Sequence, residues 1–129
     1  REPGTYGQRS LPDIMNDLER FAADCGLELD HMQSNSEGTM VDAIQQAGKD
    51  GVDYIIINPA GYTHTSVAIR DALLAVEVPF VEVHLSAVNS REPFRQVNYF
   101  SDIAIGVISG FRGESYLLAL QAILNRIEP

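Results

Sequence analysis

Glu82 and His84 stand two residues apart in a largely apolar stretch, a spacing that could couple a carboxylate to an imidazole. Side chains two apart in an extended segment lie on the same face, so the carboxylate could orient the imidazole or hold its proton. Such a pair suits a general acid. The alternative is a structural histidine whose hydrogen bonds are satisfied at the end of a strand.

A second group of polar residues spans 58–66, directly after the run Tyr54–Ile57. It is dense in hydrogen-bond donors, and Gly61 allows close approach of the backbone. Taken alone, residues 63–66 favour a helix cap. Ligands of open α/β sheets bind at the carboxyl ends of the strands, however, and 82–86 ends the next predicted strand. Together the two loops predict a site with an amide, two imidazoles, a carboxylate and hydroxyls.

Arg1 and Tyr6 lie five residues apart in a loop that contains glycine and proline. A tyrosine is a poor base because its unperturbed pKa is about 10, but a neighbouring cation favours the phenolate. Arginine suits that part because it stays charged. Tyr6 is therefore a candidate base, although this pair alone would ordinarily be interpreted as exposed residues of a terminal loop.

Arg91 and Arg95 have the i, i+4 spacing of one face of a predicted helical turn at 91–96. Either guanidinium could fork onto the oxygens of a bound anion. The alternative is a solvated helix face paired with Glu92. Local arginines matter because the formal net charge of −9 would not steer an anionic substrate from a distance.

The composition limits the classes of protein that this chain can belong to. Its 129 residues predict one domain, over 1–129. The acidic balance opposes binding to nucleic acid or to an anionic membrane surface, and no run approaches the ~20 apolar residues of a membrane span. Cys25 is the only cysteine, which fits a reducing compartment. We expect a cytoplasmic protein without a nucleic-acid or membrane partner.

Several cofactor-dependent chemistries lack the residues that they need. A Schiff-base enzyme requires a shielded lysine, and the only lysine, Lys49, lies beside a predicted turn. A zinc site requires three or four ligands, and His31, His64 and His84 are far apart in the sequence. The segment 110–113 matches no phosphate-loop pattern, and we interpret it as a turn. We expect no metal and no cofactor.

Helical and strand patterns alternate along the chain. Helices are predicted at 11–25, 36–47, from a cap at Thr63 or Thr65 through Leu74, and at 116–127. Strands are predicted at 27–32, 54–57, 78–83 and 103–108. The second of these strands is expected to be central and buried on both faces. This alternation predicts an α/β fold with right-handed crossovers and a parallel, doubly wound sheet.

The front of the chain departs from this alternation, because residues 1–7 have loop chemistry and lead into a helix with no strand before it. In the flavodoxin-like order 2-1-3-4-5, the first strand lies between the second and the third. Losing an interior strand would expose both of its neighbours. We therefore expect that one strand and its following loop are missing from this sequence.

Six segments carry a pattern that extends from Arg1 to about Ile127. They are REP and YG within 1–7, QSNSEG at 33–38, NPAGYTHTS at 58–66, RDAL at 70–73, EVHLS at 82–86 and YLLAL at 116–120. In order and spacing they resemble the type II 3-dehydroquinate dehydratase family. The resemblance implies a flavodoxin-like fold, a homo-oligomer that is a dodecamer of trimers, and conversion of 3-dehydroquinate to 3-dehydroshikimate. It implies an anti elimination through an enolate, without a cofactor.

The resemblance also implies roles for individual residues. Tyr6 would take the C2 proton as the base, and Arg1 would lower the pKa of that phenol. His84, oriented by Glu82, would be the acid that protonates the departing C1 hydroxyl. Arg1 and Tyr6 would act as a lid whose closure excludes water.

The residues implied to bind substrate come from four parts of the chain. They are Asn58, Ala60, Gly61 and His64 after the second predicted strand, the backbone N–H groups of Leu85 and Ser86, Arg95, and Asp71. Asn58, His64 and Arg95 would hold the substrate hydroxyls and ring, and the N–H groups would bind the carboxylate. Asp71 would reach the site of a neighbouring subunit.

The sequence departs from the family pattern in three places. The family's first strand and its Asn-Gly-Pro-Asn loop have no counterpart, Ala87 and Asn89 replace an asparagine and a histidine, and residues 96–98 replace a His-His-Ser stretch. A second hypothesis is a flavodoxin-like module, or a degenerate member of the family, that binds a small anionic ligand without turnover. A receiver domain is disfavoured because Lys49 is wrongly placed for one.

Overall fold

The computed structural model describes residues 10–86 and 97–128. Its helices are α1 (Leu11–Asp24), α2 (Glu37–Lys49), α3 (Val67–Val76) and α4 (Glu114–Ile127), with a 3₁₀ helix at Ala60–His64. Its strands are β1 (Ile55–Ile57), β2 (Phe80–His84) and β3 (Gly106–Ser109). The four predicted helices and three of the four predicted strands are confirmed, each with ends shifted by a few residues.

Serine side chains begin the first three helices. The Oγ of Ser10 accepts a hydrogen bond from the N–H of Asp13, and the Oγ of Ser36 accepts one from Thr39. Ser66 does the same for α3, so the predicted cap at Thr63 or Thr65 is wrong. The physical reason is that Thr63 lies within the 3₁₀ helix, where its hydroxyl donates to the Ala60 carbonyl at 2.6 Å.

The three strands form a parallel sheet in the order β1-β2-β3. Ile55 pairs with Phe80, and Val81 pairs with Gly106. The central strand of the described sheet is therefore β2, whose five residues are all buried, whereas β1 lies at an edge and is only partly buried at Ile55 and Ile56. The predicted central position of β1 is wrong for the sheet formed by the described residues.

Alternate residues of β2 contact helices on opposite faces of the sheet. Phe80 packs on one face with residues of α2 and α3 and with Phe100. Val81 and Val83 pack on the other face against α4, which in turn contacts α1. Burial of each such side chain contributes about 1.5–3 kcal/mol. This arrangement confirms the predicted doubly wound α/β architecture, and it places Glu82 on the Phe80 face.

One further prediction about local structure is wrong. Residues 27–32 form no strand, although Leu27 and Leu29 pack on the α1–α4 cluster, because a strand needs a hydrogen-bonded neighbour that no described segment supplies. The helix α3 begins at Val67 and buries Ile69 and Leu73, whereas Leu74 is 47% exposed. The predicted turn at 91–96 lies outside the described residues. None of the described helices could cross a membrane.

Candidate active site

The candidate site lies at the carboxyl edge of the parallel sheet, where β1 and β2 both end. Residues 58–66, here called the β1 loop, follow β1, and Leu85 and Ser86 follow β2. Residues 97–101, here called the bridging segment, lie against both strand ends. The predicted convergence of the two loops at one edge is confirmed by the contacts described below.

Glu82 and His84 form a buried pair on one face of β2. The imidazole Nε2 donates a hydrogen bond to Oε2 of Glu82, and the two residues are 5% and 0% exposed. The other carboxylate oxygen, Oε1, has no hydrogen-bond partner among the described residues. Because an ionised carboxylate only accepts hydrogen bonds, Nε2 carries a hydrogen and Nδ1 is the nitrogen that can exchange a proton. The predicted pairing of these two side chains is confirmed.

Asn98 in the bridging segment contacts the same carboxylate. Its Nδ2 donates to Oε2 of Glu82 at 2.7 Å, while its Oδ1 accepts from the N–H groups of Phe100 and Ser101 at 2.7 and 2.9 Å. Sequence patterns did not identify Asn98 as a site residue. The only signal was its departure from the family pattern, since a separation of sixteen residues predicts no contact.

His64 of the β1 loop is also held by the bridging segment. Its Nδ1 lies 2.7 Å from the Val97 carbonyl, which can only accept, so Nδ1 is the donor. The N–H of Tyr99 donates to the Thr63 carbonyl at 3.0 Å. The bridging segment thus connects the loop that carries His64 to the strand that carries Glu82.

Asn58, Ala60 and Gly61 occupy the start of the β1 loop. The Nδ2 of Asn58 donates to the hydroxyl of Tyr116 on α4 at 3.0 Å, and its Oδ1 accepts from the N–H of Ala60 at 3.1 Å. Ala60 adopts a φ of 50°, a left-handed conformation that tightens the turn before Gly61. Burial raises the pKa of the Tyr116 phenol, and the hydrogen bond from Asn58 partly opposes this. Tyr116 had no predicted role in the site, and was placed only at the start of a predicted helix and in a family segment.

The turn at 110–113 anchors the end of β2. The N–H of Gly110 donates to the His84 carbonyl at 3.2 Å, and the N–H of Arg112 donates to the Leu85 carbonyl at 2.8 Å. These N–H groups are therefore directed at the protein and not at an anion. The interpretation of 110–113 as a turn is confirmed, and it fixes the backbone next to Ser86.

Asp71 is exposed on α3, and no hydrogen bond or ion pair joins it to the other described candidates. Its neighbour Arg70 forks onto both oxygens of Asp102 at 2.6 and 2.9 Å and donates to the Tyr99 carbonyl at 2.7 Å. Arg70 holds the pKa of the Asp102 carboxyl below its ordinary value, and the carboxylate in turn raises the pKa of the guanidinium. The hydrogen bond to Tyr99 attaches the bridging segment to α3, and the ion pair holds the adjacent Asp102.

Three of the predicted site residues, Arg1, Tyr6 and Arg95, lie outside the described residues. Within the described ranges, no group of three or more His, Cys, Asp or Glu side chains is placed to hold a metal ion.

Known proteins resemble this chain in sequence over almost its full length. The family model described as Dehydroquinase class II matches residues 1–124. The 3-dehydroquinate dehydratase 1 of Pseudomonas aeruginosa is 57% identical over 128 residues, which are 99% of this chain and 87% of that protein. The 3-dehydroquinate dehydratase of Legionella pneumophila is 56% identical over 99% of this chain and 88% of its own length.

Solved structures agree with the sequence comparison. The type II dehydroquinase from Butyrivibrio crossotus has a TM-score of 0.86 and 39% identity, covering 97% of this chain and 86% of that chain. The type II dehydroquinase from Propionibacterium acnes has a TM-score of 0.85 and 35% identity, with the same coverage. The chain therefore belongs to the class II dehydroquinase family, the family of enzymes that dehydrate 3-dehydroquinate.

Proposed function

We propose that this chain converts 3-dehydroquinate to 3-dehydroshikimate by an anti elimination, with His84 as the acid and Tyr6 as the base. The observation that carries the proposal is the buried Glu82–His84 pair at the carboxyl edge of the sheet. A carboxylate that accepts from one ring nitrogen favours an imidazolium, which is the form that can donate from the other nitrogen.

The proposed reaction moves two protons and one water. The Tyr6 phenolate takes the C2 proton, with Arg1 as the cation that favours the phenolate, and an enolate forms. The imidazolium of His84 then donates its Nδ1 proton to the C1 hydroxyl, the C1–O bond breaks, and water leaves. The negative charge of Glu82 stabilises the imidazolium before this transfer. General acid and base chemistry suffices because protons move and the substrate is neither oxidised nor reduced.

We assign substrate binding to the residues that surround the pair. Asn58 and His64 would hold hydroxyls, with Ala60 and Gly61 shaping the loop between them. The assignment of Asn58 and His64 is supported by the fixed orientation of their side chains. Tyr116 orients Asn58, and the Val97 carbonyl orients His64. Preorganised polar groups bind with a smaller loss of conformational entropy.

The substrate also carries a carboxylate, which needs its own binding groups. The backbone N–H groups of Leu85 and Ser86 would bind the carboxylate, while Arg95 would help to hold the hydroxyls and the ring. The support for the first assignment is that the turn at 110–113 fixes the backbone of this loop. A local cation is required because the net charge of −9 repels an anion at long range.

We further propose a cytoplasmic homo-oligomer, a dodecamer built from trimers, in which Asp71 reaches a neighbouring site. The support is that Asp71 is exposed on α3. Sedimentation or light scattering of the purified protein tests the assembly, and a monomer with full activity would overturn the role of Asp71.

Turnover of 3-dehydroquinate tests the proposed function directly. The product is a conjugated enone, so ultraviolet absorbance should rise when the purified protein is added. Tyr6→Phe should lose nearly all turnover and still bind substrate, because only the phenolate oxygen is removed. A folded protein that binds 3-dehydroquinate without any absorbance rise would instead support the module that binds without turnover.

A further inference from the structure

We infer that Asn98 is a positioning residue for the acid, holding the Glu82 carboxylate so that its Oε2 faces His84. The inference rests on the proposed function, because it concerns how that acid is kept ready. Both Asn98 Nδ2 and His84 Nε2 donate to Oε2 of Glu82. The carboxylate is therefore held from two sides at one oxygen.

The amide of Asn98 has one possible orientation. Its Oδ1 accepts from the backbone N–H groups of Phe100 and Ser101, which can only donate, so the NH₂ group must face Glu82. Phe100 is fully buried, and the Tyr99 carbonyl accepts from Arg70. The donor is thus fixed by the backbone of the bridging segment before any substrate binds.

The burial of Glu82 explains why such a donor matters. The residue is 0% exposed, and its Oε1 has no hydrogen-bond partner among the described residues. A buried carboxylate is costly unless hydrogen bonds compensate its charge, and without compensation it takes up a proton. A second donor at Oε2 supports the ionised form, so the carboxylate stabilises the imidazolium of His84 instead of competing for its proton. The side chain of Asn98 bonds to Glu82, Phe100 and Ser101, so it acts on the acid through Glu82.

The substitution Asn98→Asp separates positioning from a purely structural role. An aspartate keeps an oxygen that accepts from Phe100 and Ser101, and it replaces the donor toward Glu82 with an acceptor. The two hydrogen bonds that cap the bridging segment survive this change, whereas the bond that positions Glu82 is lost. We expect kcat to fall about 100-fold, with KM within about twofold of the wild-type value, because a misplaced catalytic group costs about that factor. Asn125→Asp on the exposed face of α4 makes the same charge change and should leave kcat unchanged.

Steady-state kinetics with 3-dehydroquinate and the Tm of each protein decide between the outcomes. An Asn98→Asp enzyme with wild-type kcat overturns the inference and leaves the proposed function intact. A wild-type protein without turnover overturns both. If the aspartate variant does not fold, Asn98→Ala takes its place, and kcat lowered at unchanged KM supports the inference, whereas wild-type kcat overturns it.

Discussion

Two pairs of histidine and glutamate in this molecule differ mainly in their burial. His84 and Glu82 lie at the end of β2, with side-chain exposures of 6% and 0%. His31 follows α1 and contacts Glu19 of that helix at 3.0 Å, with side-chain exposures of 48% and 50%. In both pairs a ring nitrogen meets one carboxylate oxygen, and the buried carboxylate also accepts from Asn98.

The difference shows that burial decides whether a histidine–glutamate contact can serve as a site for chemistry. Exposed ion pairs are screened by water and salt and contribute about 0–1 kcal/mol to stability. In a poorly solvated interior the same two groups interact more strongly, so the protonation of one depends on the charge of the other. We therefore expect the buried pair to control turnover and the exposed pair to leave it unaffected.

The largest expected difference between the pairs concerns the two histidines. His84→Asn should lower kcat by about 10²-fold to 10⁴-fold, because a positioned general acid contributes about that factor. His31→Asn, the matched substitution, should leave kcat within about twofold of wild type. Steady-state turnover of 3-dehydroquinate measures both, and equal losses in the two variants would remove the distinction between the pairs.

The two glutamates should differ in the same direction by a smaller factor. Glu82→Gln keeps the shape of the side chain and removes the charge that stabilises the imidazolium, so kcat should fall roughly 10²-fold. Its amide also brings an N–H donor into a space where Asn98 and His84 already donate. Glu19→Gln should have no effect on turnover.

Circular dichroism spectra of both glutamine variants control for unfolding. A Glu82→Gln enzyme that is folded and fully active would show that the charge of this carboxylate is dispensable. The acid would then depend on the shape of the site alone.

The sequence predicted the buried pair well, since the separation of two residues within a strand places both side chains on one face. It could not predict Asn98, because the contact with Glu82 depends on the path of the chain between them. The strand predicted at 27–32 does not form, for a similar reason. Its alternation does bury Leu27 and Leu29, but a ladder requires a partner that local patterns do not specify.

The hydrogen bond between Asn58 and Tyr116 lies at the same edge of the sheet. It is partly buried, so its exposure is between those of the two histidine–glutamate pairs. Tyr116→Phe removes the hydroxyl that accepts from Asn58, so the amide loses one of the two hydrogen bonds that orient it. We expect KM for 3-dehydroquinate to rise by about fivefold, which is the loss of roughly 1 kcal/mol for one hydrogen bond, with kcat little changed. Tyr54→Phe, at a partly buried tyrosine before β1, is the matched control. A KM unchanged in Tyr116→Phe would show that the loop alone orients Asn58.

The smallest expected effect concerns the exposed ion pair of Arg70 and Asp102, which extends the comparison to a pair outside the reacting centre. The guanidinium holds the pKa of Asp102 below its ordinary value of 3.8, so the folded protein binds this proton less tightly than the unfolded chain does. The pair therefore stabilises the fold above pH 3.8, and this contribution is lost as the pH falls through the lowered pKa.

Asp102→Asn should lower Tm by a few degrees at most at pH 7. The difference in Tm from wild type should narrow on acidification and in 1 M salt, where the Debye length is about 3 Å. Thermal unfolding between pH 7 and pH 3 measures this, and a difference that widens toward low pH would show that Asp102 acts through its shape and not through its charge.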